Sequence, residues 1–362
     1  YTQNEVCAAP VRLSSSYLKS ADPRAVIVNS GNANACTGHP GMLHARAMAS
    51  ATSKALGLKQ REVQICSTGI IGVPLPIERI ESKIQPLVDS LDYDGAAAAR
   101  AIMTSDTKPK EIAISVKIGG SKIKIGAIAK GAGMINPHMA TMLCFITTDA
   151  AVTKAEIVAA TREAVDQSFN CISVDGDMST NDTVVVMANH QAGNKTITRG
   201  GAGSAEFREA LTQVMLCLAK KIVADGECVT KLVEVQVRGA ASHMDAERVA
   251  RAVANSKLVK CSWNGNDPNW GRIIHAVGYS GARVKEEMVD IYLNGVLSAQ
   301  NGVAAKTDIR KLSAAVKESE FTVGIDLNLG KGEFNVWTSD LSPEYVEFNR
   351  EEYALNRKAG KR

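Results

Sequence analysis

Aromatic residues are scarce in this chain: they make up 4% of its 362 residues, whereas hydrophobic residues as a whole make up 45%. We therefore expect a core built mainly from Ala, Val, Ile and Leu. Charge is also nearly balanced, since 42 Lys and Arg face 38 Asp and Glu and leave a net charge of +4. A nucleic-acid-binding protein normally has a basic stripe with aromatic stacking platforms. The composition argues against a nucleic-acid partner, and the basic cluster at 356–362 is expected to be a solvated end.

Long hydrophobic runs are absent as well. Charge or glycine interrupts each apolar run before it reaches the length of a membrane-spanning helix, so no membrane partner is predicted. The eight cysteines include no CxxC pair and stand mostly in apolar segments, which predicts reduced, buried thiols. We expect a cytoplasmic protein, or one of the mitochondrial or plastid matrix in a eukaryote. The opening "YTQNEVCAAPV" is similar to the middle of a strand, and we expect that a segment upstream of it was removed.

Several familiar catalytic and ligand-binding patterns are missing. The six histidines show neither HxH nor HExxH spacing, so no zinc site is predicted. There is no GxSxG turn for a Ser-His-Asp hydrolase. "KGAGMIN" lacks both the third glycine of a dinucleotide loop and the GK[ST] ending of a P-loop. We expect instead a loop whose backbone closely approaches another group.

The acidic loop "SVDGDMSTND" at 173–182 only faintly resembles a calcium loop. Counted from Asp175, the sixth position is Thr180 and the twelfth is Val186, whereas an EF-hand needs Gly and Glu there. Turn and capping hydrogen bonds from its Asp, Ser and Asn side chains are the expected role.

Strand and helix patterns alternate along the chain, which predicts an α/β (α+β) fold without internal repeats or a visible domain border. Apolar alternation around Gly119-Gly120 predicts a hairpin over 111–133. Strands are predicted at 24–30, 62–69, 286–293 and 321–338 and in "TMLCFITTDA", "ISVDGD", "TVVVMANHQAG" and "TKLVEVQVRG", and helices at 40–56, 204–224, 244–256 and 307–317 and in "LPIERIESKIQPLVDSL" and "TKAEIVAATREAVDQSF".

The stretch "KGAGMINPHMATMLCFITTD" at 130–149 places the β-branched hydroxyl of Thr141 directly after Ala140. One interpretation is that a strand begins at Thr141. Another is that the chain is cut there, and that the new amino terminus does chemistry. His138 stands three residues before Thr141, which suggests a role in that chemistry. A structural or surface role for His138 is equally consistent with the pattern.

Two small-residue loops can complement such a nucleophile. "NSGNANACTG" at 29–38 and "CSTGIIG" at 66–72 each follow a predicted strand. In the second, Thr68 and Gly69 place a hydroxyl beside a backbone N–H, a pair that suits an oxyanion hole. Either loop alone would more often be an ordinary turn.

Six stretches follow one another along the chain: "NSGNANACTG", "CSTGIIG", "KGAGMINPHMATML", "SVDGDMSTNDT", "DGE" with "TK" nearby, and "GNDPNWGRI". Together they resemble the ornithine acetyltransferase (glutamate N-acetyltransferase) family of arginine biosynthesis. The resemblance runs from Tyr1, where "YTQNEVCAAPV" is similar to the family's "FTTNxVxAAPV", to about Asn349. It implies helices flanking stacked β-sheets in two lobes, with the site between them.

The resemblance assigns roles to individual residues. It implies autocleavage between Ala140 and Thr141, which gives fragments 1–140, with the oxyanion loop, and 141–362, with the nucleophile and the C-terminal substrate-contacting segment. Thr141 is implied as the catalytic nucleophile. Thr68 and Gly69 are implied as the oxyanion pair. Substrate contacts are implied for Thr104, Lys130, Thr141, Glu227 and Asn349.

The implied reaction is ping-pong transfer of an acetyl group from N-acetylornithine to glutamate. The freed α-amine of Thr141, with a pKa of about 8 in a model compound, would be the base for its own hydroxyl. The resemblance implies no cofactor and no metal, although some members accept acetyl-CoA as donor. It also implies that the fragments stay together and assemble as a heterotetramer of two copies of each.

Two departures from the family pattern bear on the substrate. "DGECVTK" places Cys228 and Val229 where Gly and Ala are usual, and Ala354 and Leu355 stand where a substrate-contacting hydroxyl is usual. An N-terminal-nucleophile amidase or aminopeptidase, an acetyltransferase with altered amino-acid substrates, and an amino-acid-binding protein without turnover are the alternatives.

Overall fold

The structure is a computed structural model that describes residues 1–136 and 142–350; His138, Ala140, Thr141, Ala354 and Leu355 lie outside this part. The chain divides into two compact units. Within the described part, the first unit takes Tyr1–Asn170 and Asp177–Ile222, and the second takes Cys171–Gly176 and the residues from Val223 onward. The fold is mixed α/β, as predicted.

The described helices are, in chain order, α1 (Ala9–Leu18), α2 (Gly38–Leu56), α3 (Ile77–Asp89), α4 (Gly95–Ala101), α5 (Lys154–Asp166), α6 (Ser204–Ala224), α7 (His243–Ala254), α8 (Lys257–Asn264), α9 (Trp270–Gly278) and α10 (Ile309–Lys317). The strands are β1 (Ala25–Asn32), β2 (Val63–Ile70), β3 (Lys110–Ile118), β4 (Ser121–Lys130), β5 (Leu143–Thr148), β6 (Ile172–Ser173), β7 (Thr183–Ala188), β8 (Leu232–Ala240), β9 (Asp290–Leu293), β10 (Val296–Gln300), β11 (Val303–Ala304), β12 (Glu320–Asp326) and β13 (Gly332–Ser339).

The first unit contains a parallel pair, β1-β2, and a four-stranded sheet in the order β3-β4-β5-β7. The predicted hairpin is confirmed: β3 and β4 pair antiparallel around Gly119 and Gly120, whose φ values of +55° and +89° suit the tight turn. β4 then pairs antiparallel with β5, and β5 pairs parallel with β7. The segment that contains the predicted cleavage bond is therefore flanked by two hydrogen-bonded strands of one sheet.

The second unit is built on a seven-stranded sheet in the order β11-β10-β9-β12-β8-β13-β6. In β8 the apolar positions alternate, and Val233, Val235 and Val237 are completely buried. Helix α7 begins at a Ser242 side-chain cap that binds Asp245 N, and its Ala and Val face belongs to the same core. Aliphatic side chains dominate this core, as the composition predicted.

Some sequence predictions need correction. "YTQNEVCAAPV" is not part of a strand: residues 1–8 have no regular structure, and α1 begins at Ala9, with Pro10 in its first turn, where the missing proline N–H costs nothing. The sequence showed no domain border because the first unit is discontinuous. Residues 171–176 belong to the second unit and add β6 to its sheet. No change in amino-acid composition marks this short segment in the sequence.

The cysteines are free thiols, but they are less buried than predicted. Cys66, Cys144 and Cys171 are buried, whereas Cys36 and Cys261 are exposed and the remaining three are half-buried. In the part of the chain that the structure describes, no helix has both the length and the apolar character that crossing a bilayer requires.

Candidate active site

The predicted oxyanion pair lies at the carboxyl end of β2. Strands β1 and β2 are parallel, with Ser30 opposite Thr68 and Gly31 opposite Gly69. The side chain of Thr68 is buried, with 2% of the residue exposed, while the adjoining Gly69 is exposed. The two small-residue loops found in the sequence therefore leave the same end of one parallel pair.

Position 69 admits only glycine for two independent reasons. Its φ of +129° lies in a region that side-chain-bearing residues rarely adopt. A Cβ atom at this position would lie 2.2 Å from the carbonyl carbon of Gly31 and 2.5 Å from the backbone N of Asn32. Glycine thus allows the two strands to approach closely enough to place the Gly69 backbone beside Thr68.

Lys130 brings three of the predicted site residues together. It ends β4 with 2% of its surface exposed, and its Nζ donates hydrogen bonds to Thr104 Oγ1 at 2.7 Å and to Thr68 Oγ1 at 3.3 Å. In the sequence, Thr104 lies 26 residues before Lys130 and Thr68 lies 62 residues before it. The structure therefore joins Thr68, Thr104 and Lys130 in one hydrogen-bonded group.

A buried carboxylate that the sequence analysis missed underlies this group. Asp106 Oδ1 accepts from Lys110 Nζ and from the Gly131 backbone N, both at 2.7 Å, and Oδ2 accepts from Thr104 N at 3.1 Å. Lys130 Nζ lies 3.7 Å from the same Oδ2. The close approach predicted for the "KGAGMIN" backbone is thus the contact between Gly131 and Asp106.

The charges around Asp106 keep it ionised. Burial alone would raise its pKa, but the Lys130 and Lys110 ammonium groups and the Gly131 amide outweigh burial and hold the pKa below its ordinary value. In the sequence, Asp106 and Lys110 stand in the polar run "TSDTKPK", which looks like a solvated loop. The sequence feature that could have indicated their ion pair is the four-residue spacing between the opposite charges of Asp106 and Lys110.

The motif "SVDGDMSTNDT" contributes two further residues that the sequence analysis did not place in the site. Asn181 Nδ2 donates to the backbone oxygens of Ala33 at 2.7 Å and Ser67 at 2.8 Å, and thereby ties together the two small-residue loops. Asp182 Oδ1 accepts from the backbone N of Met142 at 3.0 Å. The local turn hydrogen bond expected for this loop is the one from Asn181 N to Ser179 Oγ, at 3.0 Å, whereas the contacts of Asn181 and Asp182 above are long-range in sequence.

Asp182 is also electrostatically unusual. It is completely buried, and burial raises its pKa well above the ordinary value despite the hydrogen bond from the Met142 amide. Its Oδ2 has no hydrogen-bond partner among the described residues. Its Oδ1 accepts from the backbone N of Met142, which is the residue directly after Thr141.

Glu227 and Asn349 meet in the second unit. Asn349 Nδ2 donates to Glu227 Oε2 at 3.1 Å. The segment after Glu227 is fixed by Asp340, which accepts from the backbone N of Thr230 at 2.9 Å and of Lys231 at 3.0 Å. Asn264 Nδ2 donates to the same carboxylate at 2.8 Å.

The motif "GNDPNWGRI" supports this segment from another direction. Lys231 Nζ donates to Asn266 Oδ1 at 2.8 Å and to the carbonyl oxygen of Val316 at 2.6 Å. Asn269 of the same motif caps α9 through Arg272 N. The motif therefore positions the "DGECVTK" segment.

The described residues were also compared with two other kinds of site, a thiol nucleophile and a metal-binding cluster. The thiol closest in sequence to the oxyanion pair is Cys66, and burial raises its pKa to about 12, so it is not a thiolate at neutral pH. No cluster of three or more His, Cys, Asp or Glu within residues 1–136 and 142–350 has the arrangement of a metal site.

Comparison with known proteins settles the family. The ArgJ family model matches residues 1–354 of this chain. The chain belongs to the ArgJ family. Among its relatives, the arginine biosynthesis bifunctional protein ArgJ of Geobacter sulfurreducens is 52% identical over 354 residues, which cover 96% of this chain and 89% of that protein. The protein of the same name from Symbiobacterium thermophilum is 47% identical over 350 residues, covering 96% and 87% of the two chains.

A solved ArgJ structure agrees with this assignment. The arginine biosynthesis bifunctional protein ArgJ of Bacillus halodurans is 39% identical and superposes with a TM-score of 0.55, over 57% of this chain and 96% of that chain. Membership of the ArgJ family confirms the family predicted from the six ordered stretches. It also confirms the predicted class of protein, an acetyltransferase of arginine biosynthesis.

Proposed function

We propose that this ArgJ-family chain cleaves itself between Ala140 and Thr141 and then moves an acetyl group from N-acetylornithine to glutamate through an acetyl-Thr141 intermediate. The observation that carries the proposal is the group formed by Thr68, Thr104 and Lys130, with Gly69 beside Thr68. All four were implied as site residues by the resemblance. If these segments were ordinary turns without a shared function, we would not expect Thr68, Thr104 and Lys130 to be in hydrogen-bond contact.

The geometry of Thr68 suits an oxyanion donor. Its Oγ1 accepts a hydrogen bond from the Lys130 ammonium, and within the described part of the chain its hydroxyl has no acceptor of its own. The hydroxyl proton is therefore available to a developing oxyanion, and the nearby positive charge strengthens that hydrogen bond. The Gly69 backbone N–H would be the second donor.

In the first half-reaction, Thr141 Oγ attacks the acetyl carbonyl of N-acetylornithine, and the hydroxyl proton passes to the Thr141 α-amine. Thr68 and Gly69 stabilise the resulting oxyanion. The carbon–nitrogen bond then breaks, the leaving nitrogen takes that proton, and ornithine departs. In the second half-reaction, the amine of glutamate attacks the acetyl group on Thr141, the ester bond to Thr141 Oγ breaks, and N-acetylglutamate departs.

Binding of the amino-acid parts of the substrates is assigned to charged and amide side chains. Lys130 would hold an anionic group and Glu227 a cationic one, since a zwitterionic amino acid needs both. Thr104 and Asn349 would add hydrogen bonds. The contact between Asn349 and Glu227 supports a common role for these two residues.

Acetyl-CoA is proposed as a second acetyl donor. The curated relatives are named bifunctional, and that name supports a second activity in this chain. Release of the CoA thiol during incubation of the protein with acetyl-CoA and glutamate tests this. No release, in a preparation that does use N-acetylornithine, would contradict it.

The two fragments are proposed to remain associated and to assemble as two copies of each. The antiparallel pairing of β4 with β5, which joins strands on either side of the predicted cleavage bond, supports the association. Native mass measurement of the purified protein tests both statements. Separate fragments or a single heterodimer would contradict the proposed assembly.

The decisive experiment compares the wild type with Thr141→Ala and Thr147→Ala; the latter removes another threonine from the strand that follows Thr141. Each protein is incubated with N-acetylornithine, with and without glutamate. We expect N-acetylglutamate only in the presence of glutamate, and only from the wild type and Thr147→Ala. Release of free acetate without glutamate, at a rate similar to transfer, would instead establish an amidase.

A further inference from the structure

An open cleft of about 1270 Å³ lies in the first unit, at the end of the β1-β2 pair where both strands begin. It exceeds the roughly 300–1,000 Å³ of an ordinary small-molecule pocket. Thr68 lies toward the opposite end of β2, about 17 Å along the strand from Val63. The cleft is therefore separate from the proposed active site.

Basic side chains outnumber acidic ones in the lining of this cleft, which includes Arg24, Arg46, Lys59, Arg61, Asp22 and Glu62. All four basic residues are exposed. In the part of the chain that the structure describes, none of the four lies within ion-pair distance of an acid. Cations gathered in one cleft repel each other and raise the local concentration of anions, so the cleft favours an anionic ligand.

The two acids of the lining do not offset this charge at close range. Asp22 lies 2.6 Å from Lys154, which is not part of the lining. Glu62 Oε2 accepts a hydrogen bond from the backbone N of Lys59 at 2.7 Å, and so supports the turn before β2. Both carboxylates thus have other partners.

Three of the four cations are arginines, which come from three different segments of the chain. Arg24 directly precedes β1, Arg46 belongs to α2, and Arg61 stands in the turn before β2. A planar guanidinium can form two parallel hydrogen bonds with phosphate oxygens, which makes arginine the preferred residue for phosphate recognition. The cleft therefore suits a ligand with more than one phosphate group.

Tyr17 and Gln60 form a hydrogen-bonded pair in the lining of the same cleft. Gln60 Nε2 donates to Tyr17 Oη at 2.9 Å and to the carbonyl oxygen of Arg46 at 3.3 Å. A carbonyl oxygen only accepts, so this contact fixes which end of the amide is the nitrogen. Among the described residues, Gln60 Oε1 has no donor and the Tyr17 hydroxyl has no acceptor. The pair thus offers one free acceptor beside one free donor.

This arrangement is complementary to the edge of an adenine base. Adenine carries a donor, its exocyclic amine, next to an acceptor, its ring nitrogen, and proteins read that edge by hydrogen bonds. The Tyr17 ring is half-buried against the apolar core of the first unit and lines the cleft. A flat base can stack on such a ring.

We propose that this cleft binds an adenine nucleotide that carries two or more phosphates. Arg24, Arg46 and Arg61 hold its phosphates. Tyr17 and Gln60 hold its base. Inorganic phosphate would leave the base-binding pair unused, and a nucleoside would leave the cations unused, so the nucleotide is the ligand that uses both parts of the lining. The inference does not depend on acetyl transfer.

Isothermal titration calorimetry of the purified protein with ATP, inorganic triphosphate and adenosine tests the proposal. We expect saturable binding of ATP and weaker binding of inorganic triphosphate. Adenosine should show no binding at the same concentrations, because most of the affinity comes from the charged groups.

A double variant, Arg24→Ala with Arg46→Ala, tests the phosphate-binding side of the cleft. It should raise the Kd for ATP about tenfold or more. The matched control is Arg79→Ala with Arg162→Ala, which removes the same charge from exposed positions on α3 and α5 outside the cleft. The control should bind ATP as the wild type does, and the melting temperature shows that both double variants are folded.

Tyr17→Phe tests the base-binding side, because it removes the hydroxyl and keeps the ring. It should raise the Kd for ATP about fivefold and leave that for inorganic triphosphate unchanged. Tyr93→Phe, at a fully exposed position of the same unit, is its control and should change neither value.

Equal affinity of the wild type for ATP and inorganic triphosphate would overturn the assignment of a nucleotide. ATP binding that survives the loss of Arg24 and Arg46, or that weakens equally without Arg79 and Arg162, would overturn the site itself. If the first double variant does not fold, Tyr17→Phe still decides, since an unchanged Kd for ATP would overturn the proposal. None of these outcomes requires acetyl transfer, so a failure of the proposed function is distinguishable from a failure of this inference.

Discussion

The backbone N of Met142 donates a hydrogen bond to the buried carboxylate of Asp182 at 3.0 Å. Met142 also accepts from Thr183 N through its carbonyl oxygen, at 3.1 Å. The residue after the proposed nucleophile is therefore held on both sides by the first two residues that follow Asn181. One short segment thus fixes the beginning of β5 and, through Asn181, both small-residue loops.

Asp182 should make folding stability fall as pH rises. Its folded-state pKa is raised by burial, so the folded chain binds this proton more tightly than the unfolded chain does. Stability is greatest below the unfolded pKa and is lost as pH rises through the folded one, by up to about 1.4 kcal/mol per pH unit.

This is measured as the melting temperature from pH 4 to 8, in a Thr141→Ala background that removes the proposed cleavage. Asp182→Asn should flatten this part of the profile, whereas the exposed Asp22→Asn should not. An identical pH dependence with and without Asp182 would contradict the assignment.

Asn181→Ala should impair both folding and catalysis. The change leaves the backbone oxygens of Ala33 and Ser67 without their donor, which costs about 1–3 kcal/mol for each buried group. It also frees the residue next to Thr68, so kcat should fall by about tenfold or more. Asn189→Ala, at an exposed position, is the matched control and should leave kcat and melting temperature unchanged; equal effects of the two substitutions would sink the prediction.

Gly69→Ala should abolish most acyl transfer. The added Cβ would meet the Gly31 backbone at 2.2 Å, and the φ of +129° is strained for alanine, so the strand end must move. Displacing one oxyanion donor typically lowers kcat by about 100-fold or more. Gly95→Ala, which has open space around its Cβ position at the start of α4, is the control. Normal kinetics in Gly69→Ala would remove Gly69 from the oxyanion role.

Lys260 should give the second unit the opposite pH dependence from Asp182. It is buried and donates to the Thr338 and Ser339 hydroxyls, and burial lowers its pKa to about 7. The folded chain therefore binds fewer protons than the unfolded one between pH 7 and the ordinary lysine pKa of about 10.4, and stability rises with pH across that range. Melting profiles of Lys260→Met and of the exposed Lys257→Met test this. Only Lys260→Met should lose the rise; a rise retained in that variant would refute the assignment.

Sequence patterns predicted the regular elements wherever periodicity was strong, and failed where it was not. The Gly119-Gly120 hairpin and helix Ser204–Ala224 were predicted closely, because glycine at the turn and a long amphipathic repeat are local signals. Helix α9 was missed because it begins inside "GNDPNWGRI", whose glycines and proline give it the composition of a loop. Helix α8 is only eight residues long and ends directly before that stretch. Helix α1 was missed because its serine run hides the apolar face.

The site was predictable only in part, for a related reason. The family resemblance supplied Thr68, Thr104 and Lys130, and the structure then placed them in contact. Asp106 and Lys110 carry no local pattern beyond their spacing, and their role depends on Gly131 and Lys130, which only the folded sheet brings near. Asn181 and Asp182 lie in a stretch that the resemblance contained, but their backbone partners are distant in sequence.

The central claim is that Thr141 becomes an amino terminus and carries the acetyl group, and intact mass spectrometry under denaturing conditions tests it most directly. The protein is measured before and after incubation with N-acetylornithine in the absence of glutamate. We expect two fragments, of which the one that begins at Thr141 gains the mass of one acetyl group and loses it again when glutamate is added. A single uncut chain, or an acetyl group that stays in place after glutamate is added, would contradict the proposed mechanism.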